Sequence, residues 1–265
     1  MGREDRVLIK ESAKKELNSH FSFYLVLCLC AVLSGFVYGI VSETTGQTDI
    51  QTTTDSVHAL TELTGWAMLF GILASLFQTG ALFTMIDRTR EEIGAKNAIQ
   101  RTFAVFDNGK YFTGWIFISI LQFVFIALWS ILFLIPGIIK SYSYSQALYI
   151  YRDAVKNGED IGYLEAITRS RRLMDGKKWF YFVMQLSFIG WMIVAIVTAG
   201  IASFWVIPYL WLSIAKFYTT ITDEKQQAAE FQTDSFDSNE TEKPDSSEPE
   251  PRHMKKPEDE DSSQE

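Results

Sequence analysis

YFTGWIFISILQFVFIALWSILFLIPGIIKSYSYSQALYIY, residues 111–151, carries one charged side chain, Lys140. A helix needs about 20 apolar residues to cross a hydrocarbon core, so this stretch can cross once or twice. The choice decides the topology of the whole chain. Residues 87–110 before it carry Arg88, Arg90, Lys96, Arg101 and Lys110. Residues 152–178 after it carry Arg152, Lys156, Arg169, Arg171, Arg172, Lys177 and Lys178. One crossing would set these basic segments on opposite sides of the membrane. Two crossings put both on the side where Lys and Arg accumulate, the cytoplasm. Ile135-Pro136-Gly137 offers the break, since Pro lacks an N–H and resists a helix interior.

Working outward, Phe21–Val41 and Thr64–Ile86 are uncharged and each long enough for one span. The segment before them holds Arg3, Arg6, Lys10, Lys14 and Lys15, while Ser42–Leu63 holds no Lys or Arg. Trp179–Ile221 has Lys216 as its only charge, and Thr198-Ala199-Gly200 can divide it in two. The expected fold is therefore an all-α integral membrane protein with six transmembrane helices in three hairpins. The spans are expected at about 21–41, 64–86, 112–134, 136–152, 179–197 and 201–220, with both termini inside and short amphipathic cytoplasmic helices between hairpins. Span 136–152 holds Ser141, Tyr142, Ser143, Tyr144, Ser145, Gln146 and Tyr149. It must be shielded by other helices, or else be re-entrant or interfacial. Some twenty residues of mixed charge precede the first span, unlike the short basic flank of a cleavable signal, so that span is expected to stay as an anchor.

The net charge of −8 belongs to the end of the chain. Residues 221–265 hold fifteen acidic and five basic residues and few large apolar ones, leaving 1–220 slightly basic. Residues 1–220 are read as the polytopic membrane domain and 221–265 as a disordered acidic cytoplasmic tail. Cys28 and Cys30 sit two apart on one helix and face away from each other, so neither a mutual disulfide nor a metal site follows.

The basic segments repeat. Ala98-Ile99-Gln100-Arg101-Thr102 is similar to Ala166-Ile167-Thr168-Arg169-Ser170, and Asp107-Asn108-Gly109-Lys110 to Asp175-Gly176-Lys177. With a gap at Asn108, half of the twelve aligned positions are identical. Each copy precedes a hairpin with a Pro in its second half, Pro136 or Pro208. Ile99, Phe103 and Phe106 share one helical face, as do Ile161, Leu164 and Ile167 or Thr168. Apolar faces beside basic side chains suit helices at an anionic cytoplasmic leaflet. Arg169, Arg171, Arg172, Lys177 and Lys178 are the candidate anionic-lipid contacts.

No G-x-S-x-G, H-E-x-x-H, Walker or Rossmann pattern occurs, and His20, His58 and His253 are scattered. No catalytic residue, cofactor or metal is expected, and nothing points to nucleic acid. Gln78, Gln122, Gln146 and Gln185 place one amide in each of four spans, as candidate intramembrane polar contacts.

IPGIIKSYSYSQALYIYRD (135–153) and AITRSRRLMDGKKWFYFVMQLSFIGW (166–191) resemble a bacterial membrane family known as domain of unknown function 975, common in Firmicutes. The resemblance covers residues 5–220 and implies a multi-pass protein of a bacterial plasma membrane. It carries over no catalytic residues. The expected function is a non-enzymatic scaffold or interaction protein of the cell envelope, with an unidentified protein partner. The alternative is a small-molecule transporter or lipid-handling protein.

Overall fold

In the computed structural model, which describes residues 2–46 and 54–241, every regular element is helical. In chain order these are α1 (Arg3–Ser19), α2 (Phe21–Gly46), α3 (Thr54–Thr89), α4 (Ala98–Thr102), a 3-10 turn (Ala104–Phe106), α5 (Gly109–Leu132), α6 (Leu134–Tyr144), α7 (Ala147–Lys156), α8 (Tyr163–Leu173), α9 (Lys178–Leu186), α10 (Ile189–Val197) and α11 (Ser203–Thr241). The chain divides into two units, Met1–Asp223 and Glu224–Glu265. Four helical stretches are long and apolar enough to cross a membrane: Phe21–Val41, Gly65–Thr89, Gly109–Leu132 and Lys178–Val197. The all-helical expectation holds, with four candidate spans rather than six meeting that test.

The two missing spans have a physical reason. The 136–152 region is interrupted between α6 and α7, as Lys178–Val197 is between α9 and α10, but Lys140 and the run Ser141–Gln146 make it too polar to meet the test. Residues 203–221 of α11 are polar for a span, yet Val206, Tyr209, Leu212, Ser213, Ala215, Phe217, Tyr218 and Ile221 are buried. A helix surrounded by protein rather than lipid does not need a continuous apolar surface. Phe180 and Tyr181 of α9 stack on Phe217, and Phe188 packs edge-on against Tyr209.

The interruption at Ser145–Gln146 explains the polarity of this segment. A broken helix frees backbone groups that lipid cannot satisfy. Gln122 Nε2 donates to the Tyr144 carbonyl at 2.7 Å. Ser170 Oγ donates to the Ser143 carbonyl at 2.8 Å and accepts from the Gln146 N–H at 3.2 Å. Ser143, Tyr144, Gln146 and Ala147 are all buried. The polar residues between α5 and α8 are thus backbone partners.

The turn between α5 and α6 falls at Phe133, in extended conformation, three residues before Pro136. Pro136 sits in the first turn of α6, where its missing N–H costs no hydrogen bond. A Cβ at Gly137 would collide with Ser130, so this glycine lets α6 close onto α5. The expected turn at 198–200 is where the sequence places it. Ala199 and Gly200 have positive φ, and the Gly200 N–H reaches the Ala195 carbonyl at 2.8 Å in a Schellman-type ending. A further break, at Ser187–Phe188 between α9 and α10, has no Pro or Gly to announce it.

The helix that ends the membrane domain continues past residue 220. α11 runs on to Thr241, and Glu224-Lys225-Gln226-Gln227-Ala228-Ala229 are all good helix formers. Residues 242–265, with His253, lie outside the described residues, as do residues 47–53 of the Thr-rich loop and the side chains of 42–64.

The three amphipathic segments pack into the bundle. α1 buries Ile9, Ala13 and Leu17, and Lys10 Nζ reaches Ser187 Oγ at the α9–α10 break, 2.9 Å away. α4 closes onto α3 so tightly that a Cβ on Gly80 would strike the Thr102 carbonyl. Thr102 Oγ1 donates to the Leu27 carbonyl at 3.0 Å, and Thr84 Oγ1 to the Arg101 carbonyl at 3.0 Å. α8 buries Ala166, Ile167, Ser170 and Leu173. The face expected from Ile161, Leu164 and Ile167 is split, because Leu164 is exposed while the two isoleucines are buried. The equivalent residues Thr102 and Ser170 do the same work: each hydroxyl donates to a carbonyl of an earlier helix, Leu27 of α2 and Ser143 of α6.

Candidate functional site

Charges gather where α3 and α7 end. α3 closes with Asp87-Arg88-Thr89-Arg90 nearby, and α7 carries Arg152, Asp153 and Lys156. Arg152 Nη2 donates to Asp87 Oδ2 in a pair whose side chains are only 6% and 10% exposed. Lys156 Nζ donates to Asp87 Oδ1 at 3.0 Å and also to Glu92 Oε2. Asp153 Oδ2 accepts from Arg90 Nη2 at 2.8 Å and from the Tyr218 hydroxyl of α11 at 2.7 Å. The Arg152 guanidinium lies 4.8 Å over the Phe83 ring, and its Nη1 is 3.6 Å from Asp153 Oδ1. Three acids and three bases form one neutral lattice tying α3, α7 and α11 together.

A second group joins α1 and α2 to α3. Glu16 Oε1 accepts from Arg88 Nη2 at 2.5 Å and from the Tyr24 hydroxyl at 3.0 Å, with His20 Nδ1 3.4 Å away. Arg88 Nε also donates to the Tyr24 oxygen at 3.3 Å. Burial alone would raise the Glu16 pKa, but the hydrogen bonds from Arg88 and Tyr24 outweigh it and hold the carboxyl below its ordinary value. For Lys156, burial acts to lower the pKa, and the hydrogen bonds to Glu92 and Asp87 reverse this and raise it. Arg90 follows the same pattern: burial lowers, the Asp153 hydrogen bond prevails and raises.

The carboxylates of the lattice are engaged by cations, while Arg152 Nε and Nη1 and Asp153 Oδ1 are buried without a hydrogen bond. Removing one member of a buried pair costs about 3–5 kcal/mol, largely by stranding the other charge. Its chemistry is that of a clamp. Sequence reasoning used these residues only as markers of topology. The missed signal was the placement of acids among them: Asp87 beside Arg88 near the end of α3, and Asp153 beside Arg152 in α7.

The residues singled out from sequence lie elsewhere. Gln122 and Gln146 sit at the α6–α7 break, with Gln146 Nε2 on Ser145 Oγ at 2.8 Å and its Oε1 buried without a hydrogen bond. Gln185 is half-buried beside Tyr181, one turn away on α9. Gln78 is the polar group on the wall of an apolar groove of about 750 Å³ between α2, α3 and α11, lined also by Gly35, Gly39, Ala74 and Trp211. The structure therefore brings Gln122 and Gln146 to the α6–α7 break, joins Gln185 to Gln146 through Tyr181, and leaves Gln78 apart from them.

The basic candidates on α8 and α9 are mostly occupied or outward. Arg169 pairs with Glu159 at 2.7 Å and Glu165 at 2.8 Å. Lys178 lies 3.4 Å from Asp175, and Lys177 is half-buried. Arg171 and Arg172 are exposed.

Residues 131–225 match the family described as "Protein of unknown function (DUF975)", which bears out the resemblance carried by the two sequence motifs. Neither the curated proteins nor the solved structures compared with the chain give a match.

Proposed function

We propose that the chain is a non-enzymatic, multi-pass scaffold of a bacterial plasma membrane, with six spans in three hairpins and both termini in the cytoplasm. The observation that carries this reading is the charged lattice. Its acids and bases neutralise one another and join α3, α7 and α11, while the Glu16–Arg88 pair adds α1. Ion-coupled transport calls for ionisable groups free to change partner within the membrane. Here the charges sit at helix ends and are spent on holding the hairpins. On this reading α6 and α7 together make the fourth span, shielded by α5 and α8, and the first half of α11 makes the sixth. Residues 221–265 form an acidic arm on the cytoplasmic side, available to an as yet unidentified protein partner.

The test is co-purification from native membranes in mild detergent, with and without residues 224–265. A stoichiometric protein that leaves with the arm supports the scaffold. A preparation free of protein partners, whose deletion variant also behaves like the full chain in cells, contradicts it.

A second reading, lipid handling, is favoured by the groove at Gln78. Its volume lies in the range of small-molecule sites, and its lining of Gly35, Gly39, Ala74 and Trp211 is apolar. Replacing Gln78 with Leu and following lipid movement in reconstituted vesicles tests it; unchanged movement removes this reading.

A further inference from the structure

We propose that α4, the 3-10 turn after it and the start of α5 form a docking face for a phospholipid, with acyl chains on Ile99, Phe103 and Phe106 and the phosphate on Arg101. The inference rests on the membrane location proposed above and not on the scaffold role.

Ile99, Phe103 and Phe106 are 63%, 41% and 52% exposed, although the segment is anchored deep in the bundle. Thr102 reaches the Leu27 carbonyl in the first turns of α2, and Gly80 admits the Thr102 carbonyl against α3. On the membrane location proposed above, the exposed face lies beside the second turn of α2, within reach of acyl chains. Its rings continue the apolar exterior. Phe103 packs edge-on against Phe77, Phe106 stacks on Phe112, and Phe112 stacks on Trp115. Further along the same face of α5 stands Phe123, 73% exposed. Continuity with that lipid-facing surface selects a lipid as the occupant.

Arg101 supplies the polar half. It lines two adjoining polar clefts of about 290 and 570 Å³, with Asn97, Gln100, Asn108 and Tyr111 contributing further polar groups. Its guanidinium makes no ion pair with any described residue. Among the acids of the larger cleft, Asp87 and Glu92 are already held by Arg152 and Lys156. Asp107 lines both clefts and opposes an anion there. A cation left without a partner beside an exposed apolar face, at the level of a membrane interface, matches a phosphate with its chains attached. In the second copy the matching Arg169 is spent on Glu159 and Glu165, and the matching Ile167 and Met174 are buried.

The experiment uses the full chain in phosphatidylcholine vesicles containing a phosphatidylglycerol probe with a photoactivatable acyl chain. Cross-linked peptides are mapped by mass spectrometry. Labelling is expected to concentrate in residues 97–115 and to be sparse in 163–178. Arg101→Gln, which breaks no ion pair, should lower labelling of 97–115 roughly tenfold, the scale of one charge-assisted hydrogen bond. Arg101→Lys should restore part of it, and Asp107→Asn should raise it. Labelling spread evenly over 97–115, 163–178 and α5, or labelling that ignores both charge changes, overturns the docking face. Absence of labelling anywhere on the chain overturns the membrane location as well.

Discussion

Residues 98–110 and 166–177 are similar in sequence and face different surroundings. The shared part is the anchor. Thr102 and Ser170 each send a hydroxyl to a helix carbonyl, and Val105 and Leu173 each point into the core. The difference lies in what surrounds them. In the first copy Ile99, Phe103 and Phe106 face outward. In the second, Ile167 and Met174 are buried, while Arg171 and Arg172 stand where Phe103 and Ala104 stand in the first. The lesson is that one amphipathic pattern can keep its anchor in the helical bundle while its outer face differs, apolar in one copy and basic in the other.

The most disruptive way to break this arrangement is to remove the lattice that precedes both copies. Arg152→Ala leaves the buried Asp87 with Lys156 as its remaining cation and should cost about 3 kcal/mol, read as unfolding in mixed micelles. The comparison itself is tested by matched substitutions. Ile167→Ala empties a packed site and should cost about 2–4 kcal/mol, whereas Ile99→Ala at the equivalent exposed position should stay within about 0.5 kcal/mol. Similar costs at the two positions would show that the copies share one environment. The anchors should behave alike: Ser170→Ala and Thr102→Val each remove a buried hydrogen bond and should cost about 1–2 kcal/mol in the same assay.

The smallest effects are in pH. Glu16 is held below its ordinary value of 4.5, so its contribution is complete above pH 4.5 and fades as pH falls through the depressed value. Lys156 is raised above 10.5, so its contribution is complete below pH 10.5 and fades as pH climbs through the raised value. Stability of Glu16→Gln should therefore lose part of its acid-side slope, and that of Lys156→Met part of its alkaline-side slope. A variant with the parent's slope would show that its ion pair does not persist in solution.

Much of the fold was legible because it follows from hydropathy. The long apolar runs became helices, and the Thr198-Ala199-Gly200 turn formed where the positive-φ residues allow it. Other features depend on tertiary partners. Nothing local marks a break at Ser187–Phe188; what stands there is Lys10, brought in from α1. Ser143 and Gln146 looked like liabilities in lipid, and their value emerged only with Ser170 beside them. The candidate site was legible in part. Its bases were all named as topology markers, but their pairing with Asp87, Glu92 and Asp153 joins residues more than sixty positions apart. Arg169 illustrates the limit from the other side, since its basic character says nothing of the two glutamates that occupy it.

The measurement that bears most directly on the whole arrangement is the sidedness of the two copies. With Cys28 and Cys30 replaced by Ala, single cysteines at the exposed positions 100 and 172 can be exposed to a membrane-impermeant maleimide in intact cells. Both should resist labelling from outside and react once the cells are opened, as two crossings between them require. Labelling of either position in intact cells would place the copies on opposite faces or outside, and would contradict the three-hairpin arrangement.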